Sequence, residues 1–502
     1  MHHNRNFAAV CLLFATISLF AASSALAQAA NTESRPLNVL FMLADDLGWG
    51  EVGCFGQEKI PTPNLDRLAR EGMRLTQHYS GAPVCAPSRC VLMTGRHLGH
   101  CEIRGNRQAQ VSFPEFNEGQ HPISESVYTM AQLFQSNGYA TGAFGKWGLG
   151  PVGSTGDPNR KGFDLFYGYN CQAVAHSYYP SHLWKNDQAI LINQKKIPGH
   201  APGVPGDVDS AVYRGENYAP DLMMKEALAF VDQNANKPFF LYLPFVEPHV
   251  AMHPTKASVD RFPEEWDTVP FRGPSYLPHD RPRAAYAAMI SDLDRRVGEV
   301  VASLEKHNLR ERTLIVFSSD NGTTHELNNK THFHVGGVDA EFFNSTRDLR
   351  GYKGSVYEGG IRVPTIVSLP GAIAADSVNE SASYFADWFP TLASATKLST
   401  DHQVDGEDLW PSLLSNQTHL RTKPMVWVFP EYTGQVAIRL GDFKVLRRGL
   451  KTKKPGKWEV YNIAEDRSES NDLAGARTDL IKTAITALES QTDENALFPV
   501  RF

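Results

Sequence analysis

Two acidic pairs stand just beyond apolar runs, and they frame the chemistry open to this chain. Asp45-Asp46 directly follow the run 37–44 (LNVLFMLA), and Asp320-Asn321 follow 313–317 (TLIVF) after Ser318-Ser319. Three carboxylates and an amide make an all-oxygen donor set, which suits Ca²⁺ or Mg²⁺ better than Zn²⁺. The same spacing also fits ordinary loop carboxylates and an Asp-Asn-Gly turn, although two adjacent like charges are costly without a counter-ion. A third segment, 83–97 (PVCAPSRCVLMTGRH), places Cys85 just ahead of a helix that Pro87 can open, since the missing proline N–H costs nothing in a first turn. A helix N-terminus favours an anion, and Arg89 in the first turn adds a cation. Local physics alone leaves a buried structural cysteine open as well.

These residues need elements to position them. The runs 37–44, 239–243 (FFLYL) and 313–317 suit strands buried on both faces of a parallel sheet. Helical stretches lie between them at 64–72, 126–137, 221–235 and 284–307, which predicts an α/β fold: a large, mostly parallel sheet flanked by helices. Ligands of such sheets sit outside the carboxyl ends of the strands, so two strands can deliver oxygen ligands to one place. From 421 onward the texture changes to short strand-like pieces (MVWVF, VAIRL, FKVLRR, WEVYNI) and a final helix at about 477–490. The expected organisation is a catalytic domain over 28–420 and a C-terminal α+β subdomain, a small antiparallel sheet plus one helix, over 421–502.

Residues 1–27 read as a signal peptide. His2, His3 and Arg5 precede an apolar stretch from Phe7 to about Ala22, and Ala25-Leu26-Ala27 gives a small-x-small cleavage site. The expectation is an exported protein, periplasmic or secreted, with no membrane attachment after cleavage. With 42% hydrophobic and 21% charged residues among 502, the chain is neither disordered nor a coiled coil. A net charge of -6 disfavours generic nucleic-acid binding. Six cysteines are too few for a disulfide scaffold, and Cys11 leaves with the leader. The five that remain are an odd number for an exported chain.

Cys85-Ala86-Pro87-Ser88-Arg89, followed by Leu92-Met93-Thr94-Gly95-Arg96, resembles the signature of the type I sulfatases. Other segments match that family in order. They are Asp45-Asp46-Leu47-Gly48, Gly145-Lys146-Trp147, Pro248-His249, Ser319-Asp320-Asn321-Gly322, Gly351-Tyr352-Lys353 with Glu358-Gly359-Gly360-Ile361-Arg362-Val363-Pro364, and Trp458-Glu459-Val460-Tyr461-Asn462. The resemblance covers nearly the whole chain after the leader and implies the alkaline phosphatase-like fold. It also implies that a formylglycine-generating or sulfatase-maturing enzyme oxidises Cys85 to formylglycine, whose hydrated gem-diol attacks sulfur. Asp45, Asp46, Asp320 and Asn321, with residue 85, would hold Ca²⁺ in preference to Mg²⁺. Arg89 would hold the diol, and Lys146, His249 and Lys353 would bind the sulfuryl group. Lys353 or His249 would protonate the leaving oxygen.

One departure stands out. The family commonly carries a histidine base where this chain has Gly148, and His176 in Ala175-His176-Ser177-Tyr178-Tyr179 is the replacement candidate. Aromatic residues over 166–184, interleaved with His176 and His182, suit sugar rings or ordinary packing. The insert 323–348 carries His325, His332, His334, Asp339 and Glu341 between two site motifs and is expected to line the pocket mouth. A sulfated carbohydrate is favoured over a simple aryl sulfate as substrate. A phosphate or phosphonate monoester hydrolase, or a non-catalytic sulfated-glycan binder with unmodified Cys85, are the alternatives.

Overall fold

The computed structural model describes residues 36–107, 118–326 and 333–502. The segment 1–27, expected to be a signal peptide, lies outside them. The chain from Asn38 to Phe502 forms one compact unit.

Its centre is a ten-stranded sheet. In spatial order the strands are β11 (Ser377–Asn379), β2 (Met73–Leu75), β10 (Thr365–Ser368), β9 (Thr313–Ser319), β1 (Asn38–Ala44), β8 (Phe239–Pro244), β4 (Ala140–Lys146), β5 (Leu165–Tyr169), β6 (His182–Lys185) and β7 (Gln188–Leu191). The five central strands, β9-β1-β8-β4-β5, run parallel, and antiparallel neighbours extend both sides. A two-stranded pair, β3 (His78–Tyr79) and β12 (Ser383–Tyr384), stands apart.

Alternating side chains explain why the central strands are apolar throughout. Leu40, Met42 and Ala44 of β1 join the core that includes Leu293 and Val297 of the helix Pro282–Lys306. Phe41, on the opposite face, packs edge-on against Trp388 of the helix Trp388–Thr396 at 5.7 Å between ring centroids. A strand covered on both faces has no polar face to show in its sequence.

Strands β13 (Met425–Phe429), β14 (Gln435–Leu440), β15 (Phe443–Arg448) and β16 (Trp458–Asn462) form a separate antiparallel sheet. Val426, Val428, Ile438 and Val445 pack on Ala484 and Leu488 of the helix Thr478–Ser490. Trp427, on the other face, donates from its indole N–H to the Ser80 carbonyl at 3.0 Å. That face therefore rests on the large sheet's side of the molecule. Among the described residues no helix is long and apolar enough to cross a membrane, and Cys54, Cys85, Cys90 and Cys101 are free thiols.

Candidate active site

The register of β1 and β9 creates the site. Ala44 pairs with Ser319, so Asp45-Asp46 and Asp320-Asn321 emerge side by side at one edge. The Asp46 N–H donates to Asp320 Oδ1 at 3.2 Å, and the Leu47 N–H donates to Ser319 Oγ at 2.9 Å. Asp46 holds a left-handed φ of 66°, which costs an L-residue roughly 1–2 kcal/mol. The two crossing hydrogen bonds hold it there.

The helix Cys85–Thr94 begins one residue earlier than its sequence suggests. Cys85 lies in the first turn rather than ahead of it, and Arg89 opens the second turn. Val84 caps the helix with extended backbone but no side-chain bond. The acceptor comes from elsewhere: Asn106 Oδ1 takes the Ala86 N–H at 2.9 Å. A cap supplied from another segment leaves no local signature at the helix start.

Cys85 Sγ sits 3.2 Å from Asp45 Oδ1, 3.8 Å from Asp46 Oδ1 and 3.3 Å from Lys353 Nζ. Lys146 Nζ donates to Asp45 at 2.6 Å, and Lys353 Nζ donates to Asp46 at 2.7 Å. Arg89 forks onto Asp320 Oδ2 at 2.9 and 3.0 Å and also donates to the Lys146 carbonyl. His249 Nε2 lies 3.5 Å from Asp46 Oδ2. These residues and Asn321 form one cluster in which no member is more than 6% exposed. His176 stands outside it, half-buried and stacked on His249 with ring centroids 4.6 Å apart and planes 8° apart.

Burial at this density shifts several of the titratable groups. Burial by itself would raise Asp45, yet Lys146, His249, Arg89 and Lys353 together hold it well below the carboxylate range. Asp320 is pushed up to about 7 by burial and the Asp45 charge, with Arg89 opposing. Burial and the nearby Asp320 and Asp45 carboxylates raise the Cys85 thiol far above its usual value. Burial and Lys353 hold His249 neutral.

The donor set can hold a divalent cation. Acceptor atoms of Asp45, Asp46, Cys85 and His249 lie within 4.8 Å of one another. His249 Nδ1 bonds the Val250 carbonyl, so Nδ1 is the donor and Nε2 carries the lone pair. Nε2 then faces the Asp46 carboxylate acceptor to acceptor, an arrangement that calls for a proton or a metal between them. Asn321 Nδ2 donates to Asp46 Oδ1 at 2.7 Å, while buried Asn321 Oδ1 has no hydrogen-bond partner among the described residues. Asp320 is drawn toward Arg89 and lies outside the tightest group of ligand atoms.

Several neighbours carried no signal in the sequence. Buried Glu51 accepts from the Gly48 N–H at 2.6 Å and from Tyr286, bracing the backbone behind Asp46. His200 and Tyr276 pack at 4.4 Å beside His176 and His249. The aromatic segment 166–184 serves packing more than sugar contact. Tyr178 is fully buried and donates to the Val246 and His249 carbonyls, and His182 and Trp184 both bond buried Glu118. These rings brace the histidine wall from beneath. Of the insert 323–348, His325 meets Tyr432 at 5.1 Å and lines a cleft of about 370 Å³ with Tyr352, Lys353, Tyr432 and Arg448. His334 instead bonds Glu341, Asp339 bonds Arg283, and His332 lies outside the described residues.

The parallel sheet, with the acid–base cluster at the carboxyl ends of its strands, is an α/β fold of the alkaline phosphatase-like class. Comparison with known proteins narrows this. The Sulfatase family profile matches residues 37–398, and the chain belongs to that family. It is 31% identical over 434 residues to mouse (Mus musculus) steryl-sulfatase, covering 76% of this chain and 65% of that one. It is 30% identical over 419 residues to N-acetylgalactosamine-6-sulfatase of dog (Canis lupus familiaris), covering 82% and 71%. The crystal structure of Ps i-CgsB in complex with k-i-k-neocarrahexaose superposes with a TM-score of 0.73 at 26% identity, covering 92% of this chain and 94% of that one.

Proposed function

We propose that this sulfatase-family chain removes sulfate from a carbohydrate sulfate monoester, with residue 85 as nucleophile after oxidation to formylglycine. The setting of Cys85 carries the reading. The residue is buried at a helix N-terminus, between two aspartates and a lysine. A thiolate is disfavoured there because burial and the neighbouring carboxylates raise the thiol. The unmodified side chain is therefore a poor nucleophile, while a neutral hydroxyl at the same place escapes that penalty. Hydrated formylglycine supplies two hydroxyls on one carbon, one for attack on sulfur and one for release of sulfate. Ca²⁺, in preference to Mg²⁺, supplies Lewis acidity when held by Asp45, Asp46, Asp320 and Asn321 with residue 85.

The chain's own groups do the remaining work. Arg89 orients residue 85 from the next helical turn, Lys146 and Lys353 offer charge and donors to the sulfuryl oxygens, and His249 joins them as a donor once its Nε2 takes up the proton that its contact with Asp46 calls for. Burial would lower Lys353, but Asp46 and its other anionic neighbours hold it well above its ordinary value. It therefore stays protonated and is the donor for the leaving oxygen. His176 is held neutral by burial and by His249 and Lys146, as a base requires. Its tautomer follows from a relay. His200 Nδ1 lies 2.7 Å from the Ser275 carbonyl, so it donates, and His200 Nε2 accepts. His176 Nδ1, 2.7 Å from that Nε2, must then be the donor, which leaves His176 Nε2 with the lone pair.

The leader over 1–27, export to the periplasm or medium, the catalytic domain over 28–420 and the subdomain over 421–502 belong to the same reading, as does a maturing enzyme as partner. Peptide mass spectrometry across position 85, paired with turnover of 4-nitrophenyl sulfate and 4-nitrophenyl phosphate, tests it. The expected result is an aldehyde or its hydrate at 85 and a strong preference for the sulfate. A fully unmodified thiol in material that turns over sulfate esters would overturn the mechanism, and preference for the phosphate would overturn the substrate class.

A further inference from the structure

Strand β5 runs parallel to β4 with Lys146 opposite Tyr169, so residues 170–172 leave the sheet beside residues 147 and 148 at the reactive edge. The Trp147 N–H donates to the Tyr169 carbonyl at 2.8 Å, and the Gly148 N–H donates to that of Asn170 at 3.3 Å. Asn170 is 0% exposed and Gln172 4%. Both polar atoms of both side-chain amides lack a hydrogen-bond partner among the described residues. An unsatisfied buried donor or acceptor is costly, and four on two neighbouring side chains call for an explanation. Position 148 adds a second observation. Gly148 has φ of 79°, and a Cβ built there would lie 2.2 Å from Gln172 Nε2. The glutamine amide fills the space in which a side chain at 148 would begin. Position 148 lies two residues beyond Lys146, which holds Asp45 through Nζ and Arg89 through its carbonyl.

We propose that the amides of Asn170 and Gln172 form a subsite for the hydroxyl groups that flank the scissile sulfate of a carbohydrate, the Gln172 amide standing where a side chain at 148 would begin. A primary amide presents a donor and an acceptor together. A sulfuryl oxygen only accepts, whereas a sugar hydroxyl both donates and accepts, so the unfilled pairs match hydroxyls. The inference rests on the carbohydrate-sulfatase reading and names the groups that select the sugar.

The test uses the matured, Ca²⁺-loaded full chain, a panel of monosulfated hexoses, their analogues deoxygenated beside the sulfate, and 4-nitrophenyl sulfate. For Gln172→Met the ratio of kcat/KM on the best hexose sulfate to that on 4-nitrophenyl sulfate should fall about 10–100-fold, the scale of an unmatched hydroxyl contact. Wild type should discriminate against the deoxy analogue by a similar factor, and the variant should not. Asn170→Leu should act in the same direction. The thermal midpoint of Gln172→Met should equal or exceed that of wild type, since an apolar chain leaves no buried amide unpaired. A ratio within twofold of wild type, or unchanged discrimination against the deoxy analogue, would overturn the subsite. So would a wild type that turns over 4-nitrophenyl sulfate but no hexose sulfate, which leaves the sulfatase reading standing. A matured wild type inactive on every sulfate ester would instead sink the parent reading, and the subsite with it.

Discussion

Two regions of this molecule bury acids and bases together, and they solve the same electrostatic problem differently. Where the C-terminal sheet meets the segment after Lys353, Lys444 bridges Glu358 and Glu469 at 2.8 Å each, with all three side chains fully buried. Arg362 adds a second cation to Glu358 at 3.3 Å, and Tyr79 donates to it at 2.7 Å. Burial would raise Glu358, but Lys444, Arg362 and Arg439 bring it down to about 2. In that network each carboxylate has a cation within the cluster. In the active site two aspartates, a thiol and an imidazole converge on one point with Asp320 and Asn321 beside them, and the cations reach them from separate elements. Asn321 Oδ1 is left over, and two acceptors face each other. A cation-paired network fixes geometry, whereas a convergent, incompletely paired one stores affinity for a ligand.

The sharpest way to break this contrast is one substitution in each region. Cys85→Ala should lower sulfate-ester turnover on the order of 10³-fold or more while leaving the thermal midpoint near wild type. Lys444→Met should do the reverse, since removing one partner of a buried ionic network costs about 3–5 kcal/mol. Thermal unfolding and 4-nitrophenyl sulfate turnover measured on both variants decide it, and a stability loss confined to Cys85→Ala would invert the assignment of roles.

Metal removal should give the next largest effect. Ca²⁺ at about 100 times its Kd stabilises by about 2.7 kcal/mol. Chelation should lower the wild-type midpoint accordingly and abolish turnover, with both restored on adding Ca²⁺. Asp45→Asn should be insensitive to chelator, and Lys444→Met should respond like wild type. Equal chelator sensitivity in wild type and Asp45→Asn would place the cation elsewhere.

The smallest effect is a pH dependence inside the cation-paired network. Glu469 is pushed up to about 7, from 4.5, by burial, with Lys444 opposing and Glu358 adding to the rise. The folded state therefore keeps a proton that the unfolded chain releases, so this group's stabilisation is full below pH 4.5 and lost as pH rises toward 7. Wild type should lose on the order of 1–2 kcal/mol over that interval. Glu469→Gln should show a flatter slope, whatever constant offset its amide adds beside Lys444. Chemical denaturation at stepped pH compares the slopes, and identical slopes would exclude Glu469 as their source.

Much of the fold and site was legible before any coordinates. The runs at 37–44, 239–243 and 313–317 are the central strands β1, β8 and β9, because strands covered on both faces must be apolar throughout. The helices at 221–235 and 284–307 fall within a few residues of their observed ends. Motif order named residues that the structure brings into one buried cluster, with His176 beside it. The helix start at Cys85 was misplaced by a residue because its cap, Asn106, comes from another segment. The aromatic stretch 166–184 looked equally like a sugar platform or a core, and only burial distinguishes them.

The sequence by itself determined the residue types, the α/β alternation and the motifs that reveal the family, since periodicity and spacing are local properties of the chain. Tertiary structure decided what depends on approach between distant segments. It set the Ala44–Ser319 register that brings two acidic pairs together, the pairing of Lys146 and Lys353 with different aspartates, and the His176–His200 relay. It also put the amide of Gln172 against Gly148. Contacts between residues tens to hundreds of positions apart leave no periodic trace, because what fixes them is packing and the dielectric of the buried interior.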